Sequence, residues 1–310
     1  MIYTLTLNPA IDLFIETEHL KKDIVNRTKS YDVQANGKGV NVSLILKALG
    51  IDNIAMGIGA GFTLRYIVDY LNDHDIATDF LYTPGITRIN VFTRVLEGNN
   101  EYKLVNPGPY VNTITIDKLM KKIKNIKASD FLIISGSFAQ GISPIILNKI
   151  AQSACINGFN LVVDTSYSEV MQILKHHPFL IKPDEEEIMS WFNLSDKPDL
   201  MGFCDLCLEL IKRGAQRVLL SLGSKGALYV DPDKVLFGNA AKGKVINTAC
   251  SGDTMLGTFI AGIIKGQKIS FNLQNSIAAG SSTAFRAGLT DFSDIAELKK
   301  QIAIEKLGGN

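Results

Sequence analysis

Asn36-Gly37-Lys38-Gly39-Val40-Asn41-Val42-Ser43-Leu44-Ile45-Leu46-Lys47-Ala48-Leu49-Gly50-Ile51-Asp52-Asn53-Ile54-Ala55-Met56-Gly57-Ile58 reads as a glycine-rich turn, a helix and a strand in direct succession. Val40, Leu44, Ile45, Ala48 and Leu49 fall on one helical face, which predicts a helix over 40–49. The apolar run 53–58 predicts a strand. The same alternation continues in both directions. Strands are expected at 2–7, 131–135, 160–163, 179–181 and 217–222, and amphipathic helices at 116–126, 144–156 and 200–213. Residues 251–300 read as mostly helical. Such alternation implies an α/β fold, a mostly parallel sheet with helices on both faces.

Two stretches break the rhythm. Residues 13–34 and 86–105 are β-rich and hold no convincing helix. Segments 13–20 and 89–95 are expected to pair as a small separate sheet, a lid beside the main one. The expected organisation is a single α/β domain over 1–310 with that lid.

Composition narrows the function. Among 310 residues, 32 Lys and Arg balance 31 Asp and Glu, for a net charge of +1. A nucleic-acid binder would carry a basic excess, so no nucleic-acid partner is expected. The start has no signal-peptide pattern, and the apolar run 254–264 is too short to span a membrane. A cytoplasmic protein without a membrane partner is expected. Cys204 and Cys207 resemble a CxxC motif, but they lie on the apolar stripe of the 200–213 helix. Core packing explains them better than metal or redox chemistry. The lysines of 118–127 lie opposite Ile116, Leu119, Met120 and Ile123 and read as a wet face, and the four histidines read as surface residues.

Three glycine clusters suit anions. Gly37-Lys38-Gly39 opens the 40–49 helix, where free N–H groups and a lysine would meet a phosphate. It is no Walker A loop, because Gly39 stands where Ser or Thr is needed. Gly57-Ile58-Gly59-Ala60-Gly61 resembles a dinucleotide fingerprint, but Phe62 occupies its sixth position. Cys250-Ser251-Gly252-Asp253 opens the apolar helix 254–264. Its N–H groups would form an anion hole, and Asp253 in the first turn would accept a hydroxyl proton. The plain alternative is a helix cap.

These clusters, in this order, resemble the PfkB carbohydrate kinases of the ribokinase-like fold, over essentially the whole chain. Thr6-Leu7-Asn8-Pro9-Ala10-Ile11-Asp12 is similar to the family's opening, 36–42 to its first signature and Asn247 to Asp253 to its second. Thr87-Arg88-Ile89-Asn90 is similar to the segment that reaches substrate from the lid, and Ser135-Gly136-Ser137 to a substrate-side turn. Asp164-Thr165-Ser166, Lys182-Pro183-Asp184-Glu185-Glu186-Glu187 and Ser221-Leu222-Gly223-Ser224-Lys225-Gly226 follow in the expected order.

The resemblance implies a three-layer α/β/α fold with a β-lid and ATP-dependent phosphorylation of a sugar phosphate. It implies Asp253 as base, with Ser251 and Gly252 in an anion hole beside Cys250. Asp12, Gly39, Asn41, Asn90 and Ser137 would meet the sugar, and Lys38 and Arg88 its phosphate. Asp184, Ser221, Gly223, Gly226, Ala279 and Gly280 would serve the nucleotide, and Glu187 with Asp184 would organise Mg²⁺ through water. Within the family, 85–91 and 46–52 look most like 1-phosphofructokinase, with tagatose-6-phosphate kinase and 6-phosphofructokinase as alternatives. The resemblance also implies a homodimer paired through the lid.

Departures from the family pattern fall at Asn36 and Cys250, where glycine is usual, and at Asp184, usually asparagine. They motivate a second class of function, a sugar-phosphate sensor that has lost efficient catalysis. A nicotinamide dehydrogenase, resting only on 57–61, is a third.

Overall fold

A computed structural model describes residues 1–308. Its first half runs β1 (Ile2–Thr6), β2 (Ala10–Thr17), β3 (Thr28–Asn36), α1 (Lys38–Ala48), β4 (Ile54–Ala60), α2 (Gly61–Asp73), β5 (Ala77–Thr83), β6 (Arg88–Val95), β7 (Asn100–Leu104), α3 (Thr113–Lys124) and β8 (Phe131–Ser135). The second half runs α4 (Ile146–Asn157), β9 (Asn160–Asp164), α5 (Val170–Ile173), β10 (Leu180–Ile181), α6 (Glu185–Trp191), α7 (Leu200–Lys212), β11 (Val218–Ser221), β12 (Ala227–Asp231), β13 (Lys234–Gly238), α8 (Ser251–Ile264), α9 (Ile269–Ala284), α10 (Ile295–Lys299) and β14 (Ile304–Gly308).

The main sheet has ten strands in the order β14-β13-β12-β11-β10-β9-β8-β1-β4-β5. Every pairing from β5 to β11 is parallel, and β12, β13 and β14 add an antiparallel edge. The central strands are apolar runs because both of their faces are covered. Ile133, Val162, Leu180, Leu219 and Tyr229 pack against Leu256, Phe259 and Ile260 of α8 and Leu273 and Ile277 of α9. Their neighbours Leu132, Ile134, Leu161, Val163 and Leu220 face the opposite layer, with Leu119 of α3, Leu147 of α4 and Phe203 of α7. The period of two thus builds a three-layer α/β/α sandwich.

Chain direction across the sheet reverses between β1 and β8. From β1 the chain moves to β4 and β5, and from β8 it moves the other way. Such a switch point opens a crevice at the carboxyl ends of the strands. Thr6, Ser135 and Asp164 are the last residues of β1, β8 and β9, and they gather there.

The lid is a four-stranded sheet in the order β3-β2-β6-β7. The predicted pairing is present, with Leu13 opposite Val91. The sheet begins at Ala10 and ends at Asn36 on its first segment, wider than the predicted 13–34. Asp12 is therefore a lid residue.

Several expectations shift. The helix predicted at 40–49 starts at Lys38, capped by Gly37 at φ 135°. Its predicted stripe is wrong in part: Ala48 is exposed, while Val42 and Leu46 are fully buried. The helix packs on β1 of the main sheet, on α8 and, near its start, on the lid, so more than one face is covered. Helix α2 and strand β5 were not predicted, although Leu64, Ile67 and Leu71 lie at helical spacing and are fully buried. Gly57 and Gly59 lie inside β4 and only Gly61, at φ 64°, makes the turn. Cys204 and Cys207 are buried as expected, in a helix capped by Asp199 and followed by Gly214 at φ 123°. Among the described residues, no helix is long and apolar enough to cross a membrane.

Candidate active site

Helix α8 begins abruptly. Cys250 holds the left-handed conformation at φ 63°, and Thr254 N–H closes the first turn on its carbonyl at 2.9 Å. The N–H groups of that first turn have no intrahelical acceptor, and of them Ser251 N–H reaches the Thr248 carbonyl at 3.4 Å. Cys250 thus adopts the conformation that glycine would favour, at a cost of about 1–2 kcal/mol.

Asp253 lies in that turn with 5% of its surface exposed. Its Oδ2 accepts a hydrogen bond from Asn41 Nδ2 at 2.8 Å. The pairing follows from helix packing. One turn along each helix, Gly257 of α8 meets Ile45 of α1, where a Cβ would stand 2.7 Å from the isoleucine Cγ2. The missing side chain lets the helices close and brings Asn41 and Asp253 together. Burial, and then the charge of Asp164, push the Asp253 carboxyl up to about 6. Lys38, the Asn41 hydrogen bond and Lys182 work against that rise.

Two lysines meet one carboxylate beside Asp253. Asp164 Oδ1 accepts from Lys182 Nζ at 3.1 Å and Lys38 Nζ at 3.4 Å. Burial opposes its charge, but Lys182 and then Lys38 outweigh burial and hold the Asp164 carboxyl below its usual range. Asp164, followed by Asp253 and Glu187, raises the Lys38 ammonium, which stays charged at all ordinary pH. A Cβ on Gly252 would stand 3.3 Å from Lys182 Nζ, so that ammonium borders the first turn of α8. Cation and helix terminus together make a strong anion site.

The sugar-side candidates come from three elements. Asp12 Oδ1 accepts from Asn90 Nδ2 at 2.8 Å across the parallel β2–β6 pair. Burial pushes the Asp12 carboxyl up, against the hydrogen bonds from Asn90 and Asn36. Arg88 donates to the carbonyls of Asn8 at 3.0 Å and Asn106 at 3.3 Å, and its buried Nε has no protein acceptor. Gly39 sits where a Cβ would strike Thr6 Oγ1, so α1 reaches β1 only with glycine there. Lys38, Arg88, Ser137, Thr6, Ser166 and Glu187 line one cavity of about 330 Å³. Cationic residues from lid and helix thus share a cavity with polar groups of the main sheet.

The nucleotide-side candidates lie along the adjoining strand ends. Asp184 and Glu187 form a reciprocal capping box at the start of α6, at 2.9 and 3.0 Å. Glu187 Oε2 is engaged there. Burial raises its carboxyl, helped by Asp184 and opposed by Lys38. Among the described residues no group of three or more His, Cys, Asp or Glu could hold a metal. Glu187 also lines the cavity, where Mg²⁺ on nucleotide phosphates would meet it through water. Ser221 bridges to Asp184 at the end of β11. Gly223 at φ 54° and Gly226 at φ 116° shape the loop that follows, where a Gly226 side chain would collide with the Gly238 carbonyl. Ala279 is fully buried in α9. Gly280 faces α8, where a Cβ would lie 3.1 Å from the Ser251 carbonyl oxygen. These two residues pack helices and do not line the cavity.

The sequence motifs assign Lys182 and Asp164 no role of their own. Lys182 appeared only as a neighbour of Asp184. The available signal was a lysine directly after the short apolar run 179–181, at the carboxyl end of a strand.

Comparison with known proteins follows the same lines. The model of the pfkB family of carbohydrate kinases matches residues 5–296. The D-tagatose-1-phosphate kinase of Bacillus licheniformis is 43% identical over 307 residues, 99% of this chain and all of that protein. The 1-phosphofructokinase of Borreliella burgdorferi is 30% identical over 308 residues, 99% of each chain. The crystal structure of phosphofructokinase-2 from Escherichia coli with substrates and products superposes with a TM-score of 0.88 at 25% identity, covering 96% of this chain and 98% of that one. The fold is the ribokinase-like one. The chain belongs to the pfkB family of carbohydrate kinases: it is a sugar kinase, a phosphotransferase with an alcohol acceptor, and kinases of this family use ATP.

Proposed function

We propose that the protein transfers the γ-phosphoryl group of ATP to the 6-hydroxyl of a ketohexose 1-phosphate, D-tagatose 1-phosphate first and D-fructose 1-phosphate second. The carrying observation is the joint presence of Lys38 and Arg88 on one cavity wall and a buried Asp253, raised to about 6, at the anion-binding start of α8. The order of substrates follows the likeness at 43% to a D-tagatose-1-phosphate kinase, against 30% to a 1-phosphofructokinase. This revises the fructose preference drawn from the sequence motifs.

In this reading Asp253 takes the proton of the attacking hydroxyl as the new O–P bond forms. The N–H groups of Ser251, Gly252 and Asp253, with the Lys182 ammonium, meet the charge on the transferring phosphoryl oxygens. Lys38 and the free Arg88 Nε hold the phosphate already on the sugar. Asp12, Asn41, Asn90 and Ser137 orient the sugar hydroxyls, and Gly39 lets the backbone approach. Asp184, Ser221, Gly223 and Gly226 cradle the nucleotide, while Ala279 and Gly280 position α9 on its adenine side. Mg²⁺, when bound, neutralises the nucleotide phosphates. An ADP-release screen tests the substrate. Ketohexose 1-phosphates should exceed 6-phosphates and free ketoses by roughly 10²-fold in kcat/KM, because the cationic pocket would be left unpaired without the 1-phosphate. Equal or faster turnover of tagatose 6-phosphate or fructose 6-phosphate would reject this assignment.

The lid also supports a homodimer. Among the described residues no strand pairs with the outer edge of β3 or of β7, and Tyr31, Tyr102 and Leu104 on them are exposed. Such an edge needs cover. Light scattering should give twice the chain mass of 33.9 kDa, and Leu104→Glu should halve it. A monomeric parent protein refutes the pairing.

A further inference from the structure

An unbroken chain of polar side chains joins the lid to Asp253, and Asn36 is its middle link. Asn36 Nδ2 donates to Asp12 Oδ2. Asn36 Oδ1 accepts from the Gly37 N–H at 2.6 Å and from Asn41 Nδ2 at 2.9 Å. The same Asn41 nitrogen donates to Asp253 Oδ2 at 2.8 Å.

The directions of these bonds are fixed from one end. A backbone N–H only donates, so the Asn36 oxygen must face Gly37. An ionised carboxylate only accepts, so the Asn36 nitrogen must face Asp12. Asn36 therefore has one allowed orientation, and its oxygen demands a donor from Asn41. Asn41 Nδ2 has a third neighbour, Cys250 Sγ at 3.1 Å. An amide nitrogen carries two protons, and sulfur is the weakest acceptor of the three, so the protons go to Asn36 and Asp253.

We propose that Asn36 is a positioning residue for the base: it locks the Asn41 amide so that its N–H edge faces Asp253 throughout the proton cycle, and it ties the base to the lid carboxylate Asp12. This rests on the reading of Asp253 as base. The lock matters when Asp253 holds the proton. An ionised Asp253 selects the N–H edge of Asn41 unaided. A protonated one does not, and an unrestrained amide would turn its carbonyl toward the acid. The base would then be stabilised as the acid and would release its proton less readily. The other groups facing Asp253 are Asp164 from β9, Lys182 after β10, Lys38 from α1 and Cys250 from its own turn. Of these, Cys250 alone also meets the Asn36 side chain and loses that contact on substitution, whereas Asp164, Lys182 and Lys38 keep their places beside Asp253.

Asn36→Ala and Asn36→Ser are compared with the parent enzyme by ADP release from pH 5 to pH 9. In each variant that folds, the acid limb of kcat should rise by about half a unit to one unit. That shift makes the loss at pH 6 roughly two- to fivefold, closing above pH 8. A parental acid limb in a folded variant overturns the proposal, whatever its rate. A parent enzyme with no limb between pH 5 and pH 7 instead overturns the assignment of Asp253 as base. Nuclear magnetic resonance of the parent gives a reading independent of any variant. The Asn41 side-chain N–H pair should stay protected and fixed from pH 8 to pH 5, and its release as Asp253 protonates would equally refute the lock.

Discussion

Asp253→Asn should lower kcat by about 10²–10⁴-fold while making the protein more stable at neutral pH. The loss follows from chemistry. The amide keeps the shape of the side chain and its bond from Asn41, but it cannot take the proton of an attacking hydroxyl. The gain follows from electrostatics. Holding this carboxyl at about 6 rather than its ordinary 3.8 means that the fold favours the acid over the carboxylate. Above pH 6 the group is ionised in both folded and unfolded chains, and the burial cost, on the order of 3 kcal/mol, is fully felt. Below pH 4 it is protonated in both and the cost disappears. The variant's advantage in thermal midpoint should therefore be largest at pH 7–8 and vanish near pH 4. In the parent enzyme kcat/KM should fall as pH drops through 6, because protonation removes the base. Parental kcat in Asp253→Asn would reject Asp253 as the base, and an unchanged midpoint at pH 8 would reject the buried-charge account.

The alternation that decided the fold was legible because parallel strands covered on both faces must be apolar runs. Residues 131–135 and 160–163 admit almost no other reading. The lid was legible for the opposite reason, as β-rich sequence without a helix to cross over. Helix α2 is hard to read from the sequence because the glycines before it resemble a turn, whereas Gly57 and Gly59 are strand residues at close contacts. Strands β12 and β13 escaped because an antiparallel hairpin carries no helix between its strands, and β14 because it joins that edge only after α8, α9 and α10. In the candidate site, Lys38, Arg88 and Asp253 stand out in the sequence because each lies in a local motif. Lys182 and Asp164 lie in ordered motifs too, but their pairing is not legible there, since what joins them is the adjacency of β9 and β10, and Asn36 stands out only as a departure from glycine. A one-dimensional pattern can mark a helix terminus. It does not show which lysine from a neighbouring strand borders it.

That unmarked pair should carry the largest stability effect. Asp164 has no exposed surface and Lys182 only 4%, and they meet at 3.1 Å with Lys38 beside them. Removing one partner of a buried pair leaves the other charge desolvated and uncompensated, which typically costs about 3–5 kcal/mol. Asp164→Asn leaves two ammonium groups facing a neutral amide. Its thermal midpoint should fall by roughly 5–12 °C at pH 7–8. The sign of the pH dependence is opposite to that at Asp253. Asp164 is held below the ordinary carboxylate range, so its contribution is complete above that range and fades as pH falls through its lowered value. The gap between parent and variant should therefore narrow in acid. The same substitution has a functional signature. The charge of Asp164 helps to hold Asp253 up, so removing it should carry the acid limb of kcat below 6. Lys182→Met should do the reverse, raising the limb and weakening the anion site. A variant with the parental midpoint and an unmoved limb would show that Lys38 and Lys182 are neutralised by another route. Opposite movements of the limb in the two variants would show that one buried ion pair both supports the fold and sets the proton affinity of the base.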